Sequence, residues 1–267
     1  MPKRLDVYLS DNNIVKSRSL AATLIKQGSV EVNGRICTKA SFAVDENDNI
    51  RIIGEMPKYV GRGGLKLEKA VDVFGIDLNG RVCMDIGAST GGFTDCMLQN
   101  GVEYVYAVDV GHDQLDEKLC ADNRVCNMEK TNFTELFPEN FEPYPSFFSI
   151  DVSFVSLKKI IPKLSEFMKD GSSAAVLIKP QFEAGKSDIG KNGIVKDRKV
   201  HLRVLNELMA FFSQNGLAVK NLDFSPISGG DGNIEYLAYI VCNDGETSVI
   251  DVKKVIDEAF SNIRRKD

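Results

Sequence analysis

The sequence predicts an α/β fold in which a mostly parallel seven-stranded sheet follows a small α+β domain. Two observations predict this division. From residue 81 onward, short apolar runs alternate with stretches of helical spacing, a pattern typical of parallel strands joined by helices. Before residue 54, two helix-like stretches precede an Asn-Gly hairpin signal, and a Gly- and Pro-containing connector separates the two patterns.

In the first domain, Ser17 or Ser19 is placed to cap the second helix, which Gly28 ends. Residues 30–36 alternate around an Asn-Gly pair and predict a hairpin, and residues 50–53 predict a further strand. We expect this domain at residues 1–57, a linker at 58–63 and a second domain at 64–267.

The second domain should place its ligands where its strands end, because parallel sheets bind ligands at the carboxyl ends of their strands. The expected strands are 82–86, 104–108, 147–150, 174–178, 219–224 and 236–241, and the expected helices are 65–74, 93–99, 157–167 and 198–214.

Composition excludes several classes of protein. The hydrophobic share of 43% is ordinary for a globular chain. No apolar run is long enough to cross a membrane, and the charged start does not suit a signal peptide, so we expect a cytoplasmic protein. The six cysteines form no CxxC pair, which argues against a zinc site, and we expect no metal.

Charge is divided unevenly along the chain. Residues 1–41 hold seven Lys or Arg against three Asp or Glu, a surplus of four positive charges. The remaining residues hold 26 against 35, a surplus of nine negative charges. A basic N-terminal segment followed by an acidic remainder indicates that this basic head binds phosphate groups.

The basic head carries a recognisable motif. RLDVYL followed by SRSLAATLIKQGSVEVNGR resembles the small RNA-binding module shared by a primary small-subunit ribosomal protein, pseudouridine synthases and tyrosyl-tRNA synthetases. The resemblance covers about residues 3–53 and implies that the second helix and the loop after it face structured RNA. The phosphate contacts are then expected from Arg4, Lys16, Arg18, Lys26 and Arg35.

A glycine-rich turn follows the first strand of the second domain. The stretch VCMDIGASTGGF runs from an apolar strand into a turn and a helix, where glycines let a ligand approach the backbone. A nicotinamide enzyme would show GxGxxG, and this turn does not. Asp109, at the end of the next strand, suits a ribose diol.

The motif DIGASTGGFTD resembles the first motif of S-adenosylmethionine-dependent methyltransferases, and so implies a Rossmann-like class I methyltransferase domain. The resemblance implies that Asp85 and the loop flank the methionine part, that Asp109 binds the ribose and that the residues after the third strand lie near the adenine. The cofactor residues expected on this basis are Asp85, Gly87, Ala88, Ser89, Gly91, Gly92, Phe93, Asp109, Val110, Asn127, Met128 and Glu129.

Charged residues also lie beside three other strands. Asp151 and Lys179 each follow an apolar strand directly, Glu235 precedes one, and Lys66 lies on the helix before the first strand. A lysine at the end of a buried strand is costly unless a carboxylate pairs with it. Because strand ends converge on one edge of a parallel sheet, we expect these residues to meet there.

The whole set resembles the ribose 2′-O-methyltransferases related to FtsJ, which use a Lys-Asp-Lys-Glu tetrad, and more closely the TlyA family, often labelled haemolysin-like. The matching pieces are GRGGLKL, DIGASTGGFTDCMLQ, AVDVGHDQL, DVSFVSL, LIKPQFEAGK and GNIEYL. The resemblance implies the catalytic tetrad Lys66, Asp151, Lys179 and Glu235, and methylation of a cytidine ribose in ribosomal RNA. From the position of the connector between the two domains, we also expect an RNA contact for Arg62.

Lys179 has two possible roles. As a general base it must first lose its proton, which desolvation and Lys66 favour and the carboxylates oppose. Alternatively, it orients the ribose hydroxyl and stabilises developing negative charge on the oxygen. The sequence does not decide between these roles.

Other functions remain to be separated from this one. A membrane-active cytolysin needs a membrane-spanning or strongly amphipathic segment, which we do not find. A non-catalytic RNA-binding protein would not need the tetrad. A base methyltransferase more often shows an Asn-Pro-Pro-Tyr-like motif where this chain has DVSF. The nucleotide, the ribosomal subunit and the oligomeric state are left open.

Overall fold

A computed structural model describes residues 2–15, 17–54, 56–190, 192–242 and 247–263. The chain divides into two compact units, residues 1–57 and residues 58–267. The stretch 58–63, expected to be a linker, packs within the second unit. Tyr59 in this stretch is buried, and the Val60 N–H donates to the buried Asp95 carboxylate at 2.9 Å.

The first unit has a helical pair beside short antiparallel strands. Ser17 caps the second helix by accepting from the Leu20 N–H, and an Asn33-Gly34 turn with positive φ at both residues closes the predicted hairpin. The elements are β1 (Lys3–Arg4), α1 (Leu5–Asp11), α2 (Arg18–Lys26), β2 (Val30–Val32), β3 (Arg35–Ile36), β4 (Ala43–Val44) and β5 (Ile50–Ile52).

The second unit contains the predicted seven-stranded sheet, in the order β11-β12-β10-β9-β6-β7-β8. Only β12 runs against its neighbours, so the expected mostly parallel sheet is confirmed. The strands are β6 (Val82–Ile86), β7 (Tyr104–Val108), β8 (Val125–Met128), β9 (Phe147–Ile150), β10 (Ser173–Ile178), β11 (Leu217–Phe224) and β12 (Tyr236–Cys242).

Helices cover both faces of this sheet, and each face has its own apolar core. The predicted helices are present, but the prediction omitted two four-residue helices, at Glu117–Cys120 and Pro180–Glu183, and the last helix, although Val252, Ile256 and Ala259 repeat there at helical spacing. The helices are α3 (Gly63–Phe74), α4 (Gly92–Gln99), α5 (Glu117–Cys120), α6 (Leu157–Phe167), α7 (Pro180–Glu183), α8 (Arg198–Gln214) and α9 (Val252–Asn262).

The sheet order places a crevice at one edge. The chain leaves β6 toward β7 on one side, while β9 lies on the other side of β6. Loops that leave the carboxyl ends of such diverging strands separate and create a binding site. The residues that follow β6 and β9 are the glycine-rich turn and Asp151.

Among the helices of the described residues, none combines the length and the apolar composition that crossing a bilayer requires.

Candidate active site

The glycine-rich turn between β6 and α4 lines a cleft. Gly87 has a φ of 87°, and a Cβ there would lie 2.5 Å from the carbonyl oxygen of Asp151. Gly91, with a φ of 90°, packs against Leu119, where a Cβ would overlap the side chain. Both positions therefore require glycine. The cleft, of about 110 Å³, is lined by Gly63, Gly87, Ala88, Ser89, Thr90, Gly92, Phe93 and Asp151.

Asp85 supports this turn from inside the protein. Its side chain has no exposed surface and accepts hydrogen bonds from the hydroxyls of Thr94 at 2.7 Å and Ser149 at 2.8 Å. Burial raises the pKa of Asp85 to about 6, although both hydroxyl donors favour the ionised form. Its carboxylate thus ties β6 to α4 and β9 rather than facing the solvent of the cleft.

Asp109 lies at the end of β7, beside the turn. Its Oδ2 accepts from the Ser89 N–H at 2.8 Å and its Oδ1 accepts from the Gly111 N–H at 2.7 Å. Each carboxylate oxygen keeps a lone pair for a further donor, which suits two adjacent ribose hydroxyls. Val110 follows with 74% of its surface exposed, so apolar surface adjoins the carboxylate.

Glu129 organises the loop after Asp109. Its carboxylate accepts three successive backbone N–H groups, from residues 113–115, at 2.7 to 3.0 Å. The hydrogen bonds from Leu115 and its neighbours lower the pKa of Glu129 to about 2. Asn127 is exposed and accepts from the Glu129 N–H, and Met128 between them is half-buried. Glu129 therefore fixes the backbone of the loop that follows Asp109.

The expected tetrad does come together. The Lys179 Nζ lies 2.6 Å from Asp151 Oδ1 and donates to the Ser153 hydroxyl at 2.8 Å. The Lys66 Nζ lies 2.6 Å from Glu235 Oε2 and 4.0 Å from Asp151 Oδ2. Asp151 therefore lies between the two lysines.

Because these ion pairs are largely buried, they fix the positions of the four side chains. Lys66, Lys179 and Glu235 are 8%, 8% and 3% exposed, and Asp151 is half-buried. A buried charge that loses its partner is strongly destabilising, so each member holds the next in place. Two lysines and two carboxylates balance, and Asp151 also lines the cleft, so the cluster adjoins the cofactor turn.

Two loops of the site are joined beyond the tetrad. The Glu183 carboxylate accepts from the Ser156 hydroxyl at 2.6 Å and from the Leu157 N–H at 2.7 Å, at the start of α6. Burial raises the pKa of Glu183. Phe154 has a φ of 62° and a side chain that is almost fully exposed, and its ring centroid is 5.1 Å from that of Phe182.

Two residues of this arrangement were missed from the sequence, and Thr90 was expected only as part of the glycine-rich loop. Gly63 and Thr90 line the cleft, and Ser153 accepts from Lys179. Ser153 stands two residues after Asp151 in the motif DVSF, so its spacing was visible. Gly63 lies in GRGG, which the sequence analysis assigned to a linker.

The basic residues expected to contact RNA fall into separate groups. Arg4 and Arg18 both donate to Asp6, whereas Lys26 and Arg35 are exposed on α2 and β3. Lys16 lies outside the described residues. Arg62 belongs to the second unit, where its guanidinium donates to the Ser228 carbonyl at 3.4 Å.

Two sequence families match the chain. The FtsJ-like methyltransferase family matches residues 59–242, and the S4 domain family matches residues 3–50. The chain belongs to the FtsJ-like methyltransferase family. The first match spans the glycine turn and the whole tetrad, and the second spans the helical pair of the first unit. The methyl donor of this FtsJ-like enzyme is S-adenosylmethionine.

Relatives match over nearly the full chain. YqxC of Bacillus subtilis strain 168, whose name provisionally assigns rRNA methyltransferase activity, is 43% identical over 270 residues, 99% of this chain and 96% of its own. The 16S/23S rRNA (cytidine-2′-O)-methyltransferase TlyA of Mycobacterium tuberculosis is 34% identical over 238 residues, 89% of each chain. The motif resemblance to the TlyA family is therefore confirmed.

A solved structure also matches both units. A protein of Streptococcus thermophilus, provisionally named a haemolysin, is 44% identical, with a TM-score of 0.79 over 98% of this chain and 96% of that chain.

The residues of the cleft fit S-adenosylmethionine. The bare backbone of the glycine turn leads into the N-terminus of α4, where N–H groups suit an amino acid carboxylate. Asp109 offers acceptors for the ribose hydroxyls, and the exposed Val110 offers an apolar contact for the adenine. The loop that follows Asp109 is held by the Glu129 carboxylate.

Proposed function

We propose that this protein transfers a methyl group to the 2′-hydroxyl of a cytidine ribose in ribosomal RNA. The observation that carries the proposal is the Lys66, Asp151, Lys179, Glu235 cluster beside the glycine-lined cleft, in which both lysines and Glu235 are buried. The TlyA relatives of Mycobacterium tuberculosis and Campylobacter jejuni are named as cytidine-2′-O-methyltransferases of rRNA, which supports the substrate.

The cofactor supplies an electrophilic methyl group. The protein must then aim a ribose oxygen, which is a poor nucleophile, along the line of attack. Lys179 is suited to this task because Asp151 and Ser153 occupy two of its three N–H donors. We propose that the third donor binds the 2′-oxygen, so that positioning supplies much of the rate.

The contacts of Lys179 fix the direction of its amine. The Asp151 carboxylate lies 2.6 Å from the Lys179 Nζ, and the Ser153 hydroxyl accepts from it at 2.8 Å. Of the two roles open from the sequence, we therefore propose that Lys179 orients the hydroxyl and stabilises negative charge on its oxygen while the hydroxyl proton passes to water. Asp151 fixes the direction of the amine.

Lys66 and Glu235 stabilise the position of Asp151. Glu235 pairs with Lys66, and the Lys66 ammonium in turn approaches the second oxygen of Asp151. We propose that this pair keeps the Asp151 carboxylate oriented. Because the four charges cancel, the cluster presents no net charge that would repel or trap an incoming phosphate.

The exposed Phe154 beside the tetrad suits the target nucleotide. Enzymes that act on a single nucleotide within folded RNA benefit from an aromatic ring that stacks on the displaced base. Phe154 is 91% exposed, and Phe182 supports one side of it. We propose that Phe154 receives the base of the nucleotide whose ribose meets Lys179.

The S4 domain supplies the contact with RNA. We propose that Arg4, Arg18, Lys26 and Arg35 bind phosphates there, that Lys16 adds a further charge, and that Arg62 binds RNA near the active site. Ribosomal subunits in the cytoplasm are the proposed partners.

The deciding experiment is methyl transfer from labelled S-adenosylmethionine onto purified small and large ribosomal subunits and their free RNAs. We expect label on a cytidine ribose, located by mapping of the modified nucleotide. Label on a base rather than a ribose, or no label on any ribosomal RNA, would contradict the proposal.

A further inference from the structure

The S4 domain contains a buried carboxylate that the proposed chemistry does not use. The Asp6 side chain is only 4% exposed. Its Oδ1 accepts from Arg4 Nε at 2.9 Å, and its Oδ2 accepts from Arg4 Nη2 and Arg18 Nε, both at 3.0 Å. The guanidinium of Arg4, and then that of Arg18, hold the pKa of Asp6 far below its ordinary value.

The two arginines are not buried with their shared partner. The side chains of Arg4 and Arg18 keep 49% and 59% of their exposure. Each guanidinium has five N–H donors, and Asp6 uses two from Arg4 and one from Arg18. The cluster therefore carries one net positive charge and keeps donors available at the surface.

We propose that Asp6 is a positioning residue for RNA, which holds Arg4 and Arg18 as a pair preset to bind phosphate oxygens. The inference rests on the proposed function, because that function makes RNA the partner. An unrestrained arginine loses side-chain freedom when it binds. Asp6 has already restricted both arginines in the free protein, so binding restricts them less.

Asp6 has a second effect of opposite sign. Its negative charge lies close to the phosphates that the arginines would bind and repels them. A purely electrostatic view therefore predicts that removal of this charge tightens RNA binding. If Asp6 instead presets the two arginines, removal of its charge should weaken RNA binding. The sign of the change separates the two effects.

The test uses the full chain and transcripts of small- and large-subunit ribosomal RNA as probes. For Asp6→Asn we expect binding about tenfold weaker, because two arginines must then be ordered on binding. We also expect a shallower dependence of affinity on salt, since fewer phosphates are neutralised. Binding of S-adenosylmethionine should not change.

Asp11→Asn is the matched control. Asp11 lies in the same unit and is paired at 2.8 Å with Lys3, and both side chains are about half exposed. The variant removes the same charge without releasing an arginine, so RNA binding should be unchanged or tighter. Binding by Asp6→Asn as tight as the wild type, or tighter, overturns the inference.

A second pair of variants covers the case in which Asp6→Asn unfolds the S4 domain, as seen in its thermal melt. Arg4→Lys and Arg18→Lys keep the charge, but an ammonium cannot reproduce a planar fork fixed by a carboxylate. We expect each to bind RNA at least about threefold more weakly. Unchanged affinity in both overturns the inference. Failure of the wild type to bind either transcript overturns the proposed function as well.

Discussion

The two units each contain a cluster of paired charges, and the clusters are built in opposite ways. In the catalytic unit, Lys66 and Glu235 are 169 residues apart and both buried. In the S4 domain, Asp6 and Arg18 are 12 residues apart, and only the carboxylate is buried. The first cluster is neutral, and the second carries net positive charge.

This difference corresponds to what each cluster must do. A neutral, buried tetrad has fixed geometry and acts on one atom brought into the cleft. A cluster with a buried anchor and exposed arginines fixes the positions of its cations and leaves donors for a phosphate. Under the roles that we propose, buried lysines serve methyl transfer in one unit and exposed arginines bind phosphate in the other.

The largest effect should follow loss of the lysine that pairs with Asp151, a residue of the cleft. We expect Lys179→Ala to lower methyl transfer about 1,000-fold or more, because a positioned charge at the reacting oxygen is lost. Binding of S-adenosylmethionine, measured by calorimetry, should persist. This outcome would confirm that the buried cluster serves chemistry.

Lys158→Ala is the control for that variant. Lys158 is also paired with a carboxylate, Glu207, but both side chains are more than 40% exposed. Its loss should leave turnover near the wild-type value. Near-normal turnover in Lys179→Ala would refute the tetrad assignment and with it the contrast between the clusters.

The next effect concerns the cofactor rather than the reaction. Asp109→Ala should raise the Kd for S-adenosylmethionine about 10- to 100-fold, since hydrogen bonds to a charged group contribute about 1.5–3 kcal/mol. Turnover at saturating cofactor should fall much less. Asp116→Ala, which removes a carboxylate that caps α5, is the control. A Kd unaffected by Asp109→Ala would remove Asp109 from the binding site.

Loss of the exposed aromatic ring should have a smaller effect, confined to RNA. We expect Phe154→Ala to lower transfer to ribosomal RNA about tenfold, because stacking of one base contributes about 1–3 kcal/mol. Phe154→Trp should retain most activity. Equal losses in both variants would indicate that the backbone at this positive φ, and not the ring, matters.

The smallest effect is a pH dependence of stability from Asp85. Its folded pKa of about 6 lies above the ordinary 3.8, so its stabilising contribution is complete below 3.8 and is lost as the pH rises through about 6. Between pH 7.5 and 5, the wild type should gain about 2–4 °C in Tm relative to Asp85→Asn, an effect of about 1 kcal/mol.

The comparison with Asp85→Asn cancels the pH dependence of other groups. The substitution also weakens one hydrogen bond to Thr94 or Ser149, but that loss does not vary with pH. A Tm difference that is constant between the two pH values would contradict the assigned titration.

Much of the fold followed from the sequence because local patterns specify it. The strands at 82–86, 104–108 and 147–150 and the helices at 157–167 and 198–214 have the predicted bounds. Apolar runs and helical spacing reflect which face of a strand or helix is buried, so these elements can be recognised in the sequence. The bounds of α3 extend into the connector, because tertiary packing of Tyr59 and Gly64 holds that stretch.

The residues of the site were predicted less completely, since their surroundings depend on contacts between distant segments. The sequence alone indicated that Asp109, Asp151 and Lys179 each follow a strand and that Asp85 lies near the end of one. It did not indicate that Asp85 turns inward to two hydroxyls, or that Glu129 is occupied by three backbone N–H groups.

By itself, then, the sequence determined the order of the elements, the glycine turn and the residue types available at each strand end, because these depend on local backbone geometry and on polarity. Only the tertiary structure decided which charges pair. Lys179 meets Asp151 and Ser153 because the parallel strands β9 and β10 bring their carboxyl ends to one edge. Glu235 lies at the same edge because the antiparallel strand β12 begins there, and it pairs with Lys66 of α3. The positioning role that we propose for Asp6 also depends on tertiary structure, because its carboxylate is buried under two exposed arginines only in the folded S4 domain.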